Sequence, residues 1–223
     1  MATPVFRPVA DHALLVEFGT EIGDTAHEAV LSLDRALAAA PFPGFREAIP
    51  AYVNLLVDFD PEQTDHAGAE AGLRRLLSAR PPAPAPQSWQ VACCYEAEFA
   101  PDLDALAAAC GLSREAAIAA HLAAEYRVYM YGFAPGYAYL AGVPPALQQP
   151  RKPAPVRGLP AGSVMVAGPQ CLVSTLVMPT GWWVIGRSPE RILLNEADRP
   201  VLFAVGDRVR FRRIARAELE RAP

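Results

Sequence analysis

Between Arg80 and Gln87 the sequence reads Arg-Pro-Pro-Ala-Pro-Ala-Pro-Gln, four prolines in eight residues, and neither a helix nor a sheet interior can run through it. Each proline fixes its own φ, lacks an N–H donor and pushes the preceding residue toward extended backbone. The segment therefore divides the chain. Residues 1–80 are expected to form one small domain, 81–87 a proline-rich linker and 88–223 a second domain. With 223 residues, 52% of them hydrophobic, the chain has enough apolar material for a core in each.

Upstream of the linker, short strands are expected at 5–8 and 13–17, followed by a helix from Thr25. Thr25 and Glu28 stand at capping-box spacing, Ala26, Val30, Leu33, Leu37 and Ala40 share one face, and Pro41 ends the run. Tyr52–Phe59 reads as a buried strand, and Thr64–Ala79 as a second helix with Ala69, Leu73, Leu76 and Leu77 on one side. With a further strand at Trp89–Cys94, this order suggests a two-layer α/β sandwich of ferredoxin-like type.

Downstream, two short helices are expected. Asp102–Cys110 is closed by Gly111 as its C′ residue, and Ser113–Leu122 opens on Ser113 as N-cap. Beyond Tyr126 the pattern turns to short apolar strands punctuated by Gly and Pro, with candidates at 127–131, 163–167, 172–177, 183–186 and 209–211. Such spacing indicates a barrel or sandwich, so the chain as a whole is of α+β class.

The formal net charge is −4 and the cations are scattered except in the terminal segment Arg208–Arg216, so nucleic acid is not expected as a partner. No apolar run approaches the roughly 18 residues of a membrane span, and Met-Ala-Thr-Pro-Val-Phe-Arg lacks the pattern of a secretory signal. No membrane association is expected, and a cytoplasmic location is. Cys93, Cys94, Cys110 and Cys171 show no C-x-x-C spacing and no ligand-spaced His, which predicts buried thiols rather than a metal site or a disulfide framework.

The chemistry is concentrated between Tyr126 and Pro189. Glycines at 132, 136, 142, 162, 168, 181 and 186 allow close approach of backbone to backbone or ligand. Tyr131, Phe133, Tyr137, Tyr139 and Trp182 can wall a cleft, while Arg151, Gln170 and Arg187 can hold a carboxylate or an amide. His121 has two readings: a half-buried histidine bonded to backbone, or a general acid or base suited by its titration near neutrality. Ser163 is not in a Gly-x-Ser-x-Gly elbow, and Cys171 has no cationic neighbour in sequence, so neither is taken as a nucleophile.

The ordered run Gly132-Phe-Ala-Pro-Gly-Tyr-Ala-Tyr-Leu140, Pro150-Arg-Lys152, Leu159-Pro-Ala-Gly-Ser-Val164, Ala167-Gly-Pro-Gln170 and Gly181-Trp-Trp-Val-Ile-Gly-Arg-Ser-Pro189 closely resembles a known family. Its members are called the 5-oxoprolinase B subunit, allophanate hydrolase subunit 1 or inhibitor of a sporulation histidine kinase. The run is also similar to the carboxyltransferase region of urea carboxylase.

The resemblance implies a cyclophilin-like β-barrel behind the small domain, and a larger companion subunit with a related barrel. It also implies ATP-dependent opening of 5-oxoproline, or hydrolysis of a related small amide such as allophanate. ATP with magnesium would serve the complex, since this chain has no recognisable nucleotide loop. The site implied is His121 and Arg151 as catalytic groups, with Gln170, Tyr139, Phe133, Gly181, Trp182 and Arg187 binding the substrate. Two other roles occur within the resemblance: a non-enzymatic inhibitor of a sensor histidine kinase, and a biotin-dependent carboxyltransferase component. Val156, Cys171, Ser174 and Thr180 depart from the family's pattern, which carries the fold over more directly than the substrate.

Overall fold

The computed structural model describes residues 3–79, 81–194 and 196–221; Arg80, at the head of the proline-rich stretch, lies outside the described residues. The chain divides between Ala85 and Pro86 into two units.

The first unit runs β1 (Val5–Val9), β2 (Ala13–Glu17), α1 (Asp24–Ala39), β3 (Phe45–Pro50), β4 (Asn54–Phe59) and α2 (His66–Leu76). Its four-stranded sheet is antiparallel throughout, in the order β1-β2-β4-β3. Alternation along β4 turns Leu55, Val57 and Phe59 to one face, where they meet Val30, Leu33 and Leu37 of α1 and Ala69 and Leu73 of α2 in a single cluster. This is the two-layer sandwich expected, with an element order of its own.

Local details differ from expectation for identifiable reasons. The Thr25–Glu28 capping box does not form: α1 begins one residue earlier, with Gly23 at the N-cap and no side-chain cap. Asp65 does cap α2, accepting from the Gly68 N–H at 2.8 Å. β3 escapes the sequence pattern because Phe-Arg-Glu-Ala-Ile-Pro is an exposed edge strand that carries two charges. The strand after the linker pairs in the second unit, not in the sandwich.

That unit contains β5 (Ser88–Cys94), α3 (Leu103–Ala109), α4 (Arg114–Ala123), β6 (Tyr126–Tyr131), β7 (Ala138–Ala141), β8 (Val156–Leu159), β9 (Ser163–Ala167), β10 (Gln170–Val173), β11 (Met178–Thr180), β12 (Trp183–Arg187), β13 (Arg208–Ile214) and α5 (Arg216–Leu219). Seven strands close a barrel in the order β10-β7-β6-β13-β5-β12-β9, while β8 and β11 make a separate ribbon. The strand anticipated over 172–177 ends at Val173.

Period-two alternation gives the barrel wall two apolar faces. Val164, Val166, Cys171, Val173 and Ile185 point into the main cluster, which Leu103, Leu106, Ala117 and Ile118 of α3 and α4 also join. Their neighbours Met165, Ala167, Leu172 and Val184 point outward, into a second cluster with Tyr137, Trp182 and, at its edge, Leu159 and Met178 from the ribbon. Cys93, Cys94 and Cys171 are buried free thiols, and Cys110 is half-buried. No helix among the described residues is long and apolar enough to cross a membrane.

The barrel seam between β12 and β5 rests on one residue pair, Arg187 with Cys94. Gly186 permits it: a Cβ there would press into Cys93 Sγ and stand 2.9 Å from the Cys94 carbonyl oxygen. Gly186→Ala is therefore expected to destabilise the barrel by about 2 kcal/mol through overpacking. Tryptophan fluorescence in a denaturant titration checks this selectively, because Trp89, Trp182 and Trp183 all lie in the second unit.

Candidate functional site

The structure distributes the expected site residues over three environments. His121, on the last turn of α4, lies inside the main apolar cluster and is 1% exposed. Its Nδ1 is 2.7 Å from the Tyr95 hydroxyl and its Nε2 is 3.8 Å from Cys171 Sγ. The ring packs 4.5 Å from that of Phe211 and 5.3 Å from that of Tyr126. Burial alone lowers its pKa to about 3, so the imidazole is neutral at neutral pH. A neutral ring offers one donor and one acceptor, which match these two partners. Burial also pushes the Cys93 thiol up to about 12 and raises Cys171 and both tyrosines. An acid or base must reach its substrate, and this ring is sealed among apolar groups. Nor is it half-buried and backbone-bonded, since its partner is a tyrosine hydroxyl.

A second group sits on the barrel's outer face. The Arg151 guanidinium lies 5.6 Å from the centroid of the Trp182 ring, and Tyr139 meets that ring edge-on at 5.9 Å. Lys152 fixes the segment: its Nζ is 2.6 Å from Asp102 Oδ2, and its N–H donates to the Gly181 carbonyl at 2.7 Å. Asp102 in turn accepts from the Val184 N–H at 2.8 Å. Sequence reasoning misses both Lys152 and Asp102 as paired groups, although Lys152 stands within the matched motifs and Asp102 at the head of an expected helix. Phe133 lies next to Tyr137, ring centroids 5.8 Å apart. Gln170 opens β10 at the hairpin with β9, paired with Ala167 and Ala141, away from the Arg187 side chain's surroundings.

The third environment is a cleft of about 590 Å³ at the barrel mouth, lined by Gly162, Ser174, Thr175, Arg187, Ser188 and Arg191 among others. Gly162 has φ +83, and a Cβ on it would collide with the Ser188 carbonyl oxygen, so the turn at 161–163 requires glycine. Ser174, one of the positions out of pattern, closes that turn: its Oγ accepts from the Ser163 N–H at 2.9 Å and donates to the Pro160 carbonyl at 3.1 Å. Arg187 donates from one terminal nitrogen to the Ala161 carbonyl at 3.0 Å and has no carboxylate partner among the described residues.

Arg187 lines this cleft and Trp182 does not. Trp182 directly precedes β12 and Arg187 ends it, so their Cα atoms are about 16 Å apart at the usual strand rise. The out-of-pattern residues scatter likewise: Cys171 faces His121, Ser174 borders the cleft, and Val156 pairs with Thr180 on the ribbon.

No group of three or more His, Cys, Asp or Glu among the described residues is placed to hold a metal ion. Within the cleft, Arg187 and Arg191 stand beside Glu190, and Glu98 and Glu220 are paired with Arg216, so little net positive charge faces a triphosphate. This cleft therefore does not by itself fit ATP with magnesium.

Residues 4–203 match the family described as the carboxyltransferase domain, subdomain C and D. The chain is 34% identical over 221 residues to the 5-oxoprolinase B subunit of Bacillus subtilis (strain 168), covering 93% of this chain and 91% of that one. It is 35% identical over 170 residues to the protein of the same name from Escherichia coli O157:H7, covering 76% and 78% respectively. The crystal structure of TTHA0988 superposes with a TM-score of 0.80 at 36% identity, covering 92% of this chain. This chain spans only 40% of that longer one.

The folded pKa of His121 lies below that of the unfolded chain, so the unfolded state takes up a proton first as pH falls. Its contribution is complete above pH about 6.5 and is lost progressively toward pH about 3, at up to about 1.4 kcal/mol per pH unit. His121→Asn is expected to remove that slope, measured as unfolding free energy against pH.

Proposed function

The chain belongs to the carboxyltransferase-domain family, subdomains C and D, and from that premise we propose that it is the smaller subunit of an ATP-dependent amidohydrolase opening the lactam ring of 5-oxoproline, acting with a larger companion subunit. The observation that carries this reading is the near full-length relationship to the B. subtilis protein named as the B subunit of 5-oxoprolinase.

The mouth cleft supports the reading in its dimensions and in the guanidinium of Arg187, which has no carboxylate partner among the described residues. Its volume is within the range of small-molecule sites, and 5-oxoproline is a small anion with one amide. Arg187 is assigned the substrate carboxylate, for which a guanidinium is a two-pronged donor. Its held position at the end of β12 orients the ligand without a further ordering cost. The turn at Gly162 keeps the cleft floor open to a ligand. His121, sealed in the core, is assigned no proton transfer, and Arg151 lies outside the cleft. The nucleotide requirement is proposed for the assembled complex, and no step through nucleotide is assigned to this chain's residues.

Coexpression with the larger subunit is expected to yield glutamate and ADP from 5-oxoproline. Absence of turnover of any lactam or ureido acid by the intact pair rejects the reading. Within an active pair, Arg187→Ala is expected to raise KM for 5-oxoproline by about 10- to 100-fold, the worth of a charge-assisted hydrogen bond, with partial recovery in Arg187→Lys. An unchanged KM removes Arg187 from substrate binding.

A further inference from the structure

From Tyr126 to Pro189 the chain carries Arg127, Arg151, Lys152, Arg157 and Arg187 but no Asp or Glu, although its formal net charge is −4. The same stretch leaves large apolar side chains in water: Phe133 is 76% exposed, Val177 66%, Val156 44% and Leu176 39%. These positions adjoin one outer-wall cluster. Phe133 lies tilted against Tyr137 and Val177 directly precedes Met178; Tyr137 and Met178 pack into that cluster, while Val156 lies on β8 of the ribbon that edges it.

Phe133 is held out by its backbone. It has φ 68, a left-handed conformation that costs a bulky residue on the order of 1 kcal/mol. Its loop cannot relax easily, because Thr175 Oγ1 donates to the Pro135 carbonyl at 2.6 Å and Gly136, at φ +73, leaves room only for Thr175 and Leu193 against it. An aromatic ring kept largely in solvent at a conformational cost gains little for folding beyond its contact with Tyr137, and suits an interface anchor.

The charges say what covers it. Asp102 answers Lys152, but Arg151 and Arg157 are exposed and have no carboxylate partner among the described residues. Two copies placed wall to wall would set these cations against each other, which disfavours self-association through this face.

Resting on the function proposed above, we propose that this wall, centred on Phe133 and Val177 and flanked by Arg151 and Arg157, docks the larger companion subunit. The companion's contacting face presents an apolar pocket for Phe133 with carboxylates at its rim. This chain spans 40% of TTHA0988, which therefore carries further polypeptide in the same chain, and this fits a unit that works beside a companion.

Titration calorimetry of the full chain with the purified larger subunit, at low and high salt, tests this. Phe133→Gly is expected to weaken association at least about 30-fold, the scale of an interface hot spot, while the melting temperature holds because glycine accepts φ 68 without strain. Arg157→Glu is expected to weaken association and flatten its salt dependence. A pair that shows these losses but opens no lactam supports the surface and removes only the substrate reading. Both variants binding as tightly as the wild type overturns the surface. So does failure of the wild-type chain to bind the larger subunit, or loss in Phe133→Gly of a dimer formed by the chain alone.

Discussion

The parallel pairing of β5 with β13 holds the second unit together. Seven consecutive residue pairs, from Arg208 with Ser88 to Ile214 with Cys94, join the strand that follows the linker to the last strand of the barrel. Every intervening strand hangs between these two. The buried Asp207 carboxylate fixes their start, accepting from the Gln87 N–H at 2.9 Å, Trp89 Nε1 at 2.8 Å and the Ala204 N–H at 2.9 Å. Bonds to a charged acceptor are each worth about 1.5–3 kcal/mol, so this one side chain sets where the barrel begins.

Closure determines what each motif residue can do. Once the wall is continuous, a strand residue faces either inside or outside, and a strand has two ends. Cys171 falls inside against His121, Leu172 outside among Trp182 and Tyr137, and Arg187 at the mouth. One run of sequence thereby supplies a sealed neutral core, a cleft, and an outer wall with exposed apolar groups and two arginines that have no carboxylate partner among the described residues. The functional proposals divide along the same lines, with a small anion in the cleft and a protein on the wall.

Much of this was legible from sequence where the cause is local. Pro-rich chain, the apolar face of α1, the Ser113 N-cap and the Gly111 C′ position at φ +68 follow from short-range chemistry. Ladder partners are not local, so β7, β8 and β11, of three or four residues each, left little signal. The place of His121 was hidden for the same reason: Tyr95, Cys171 and Phe211, which enclose it, come from three distant strands or their ends. The motif run singled out Arg151 and Arg187 together, but only the structure shows that they stand in different environments, one over the Trp182 ring and the other in the cleft. Lys152 was passed over because its partner Asp102 lies far away in sequence, at the head of α3.

The central claim is that cleft and wall, which meet at Thr175, take separate ligands. Hydrogen exchange of the chain, with 5-oxoproline in the assembled pair and with the larger subunit alone, tests that most directly. The expected result is that the larger subunit slows exchange at 132–137, 156–158 and 176–178, and that 5-oxoproline adds protection at 161–163, 174–175 and 187–193. Protection of the wall around Arg151 and Trp182 by 5-oxoproline, with the mouth unchanged, would contradict it.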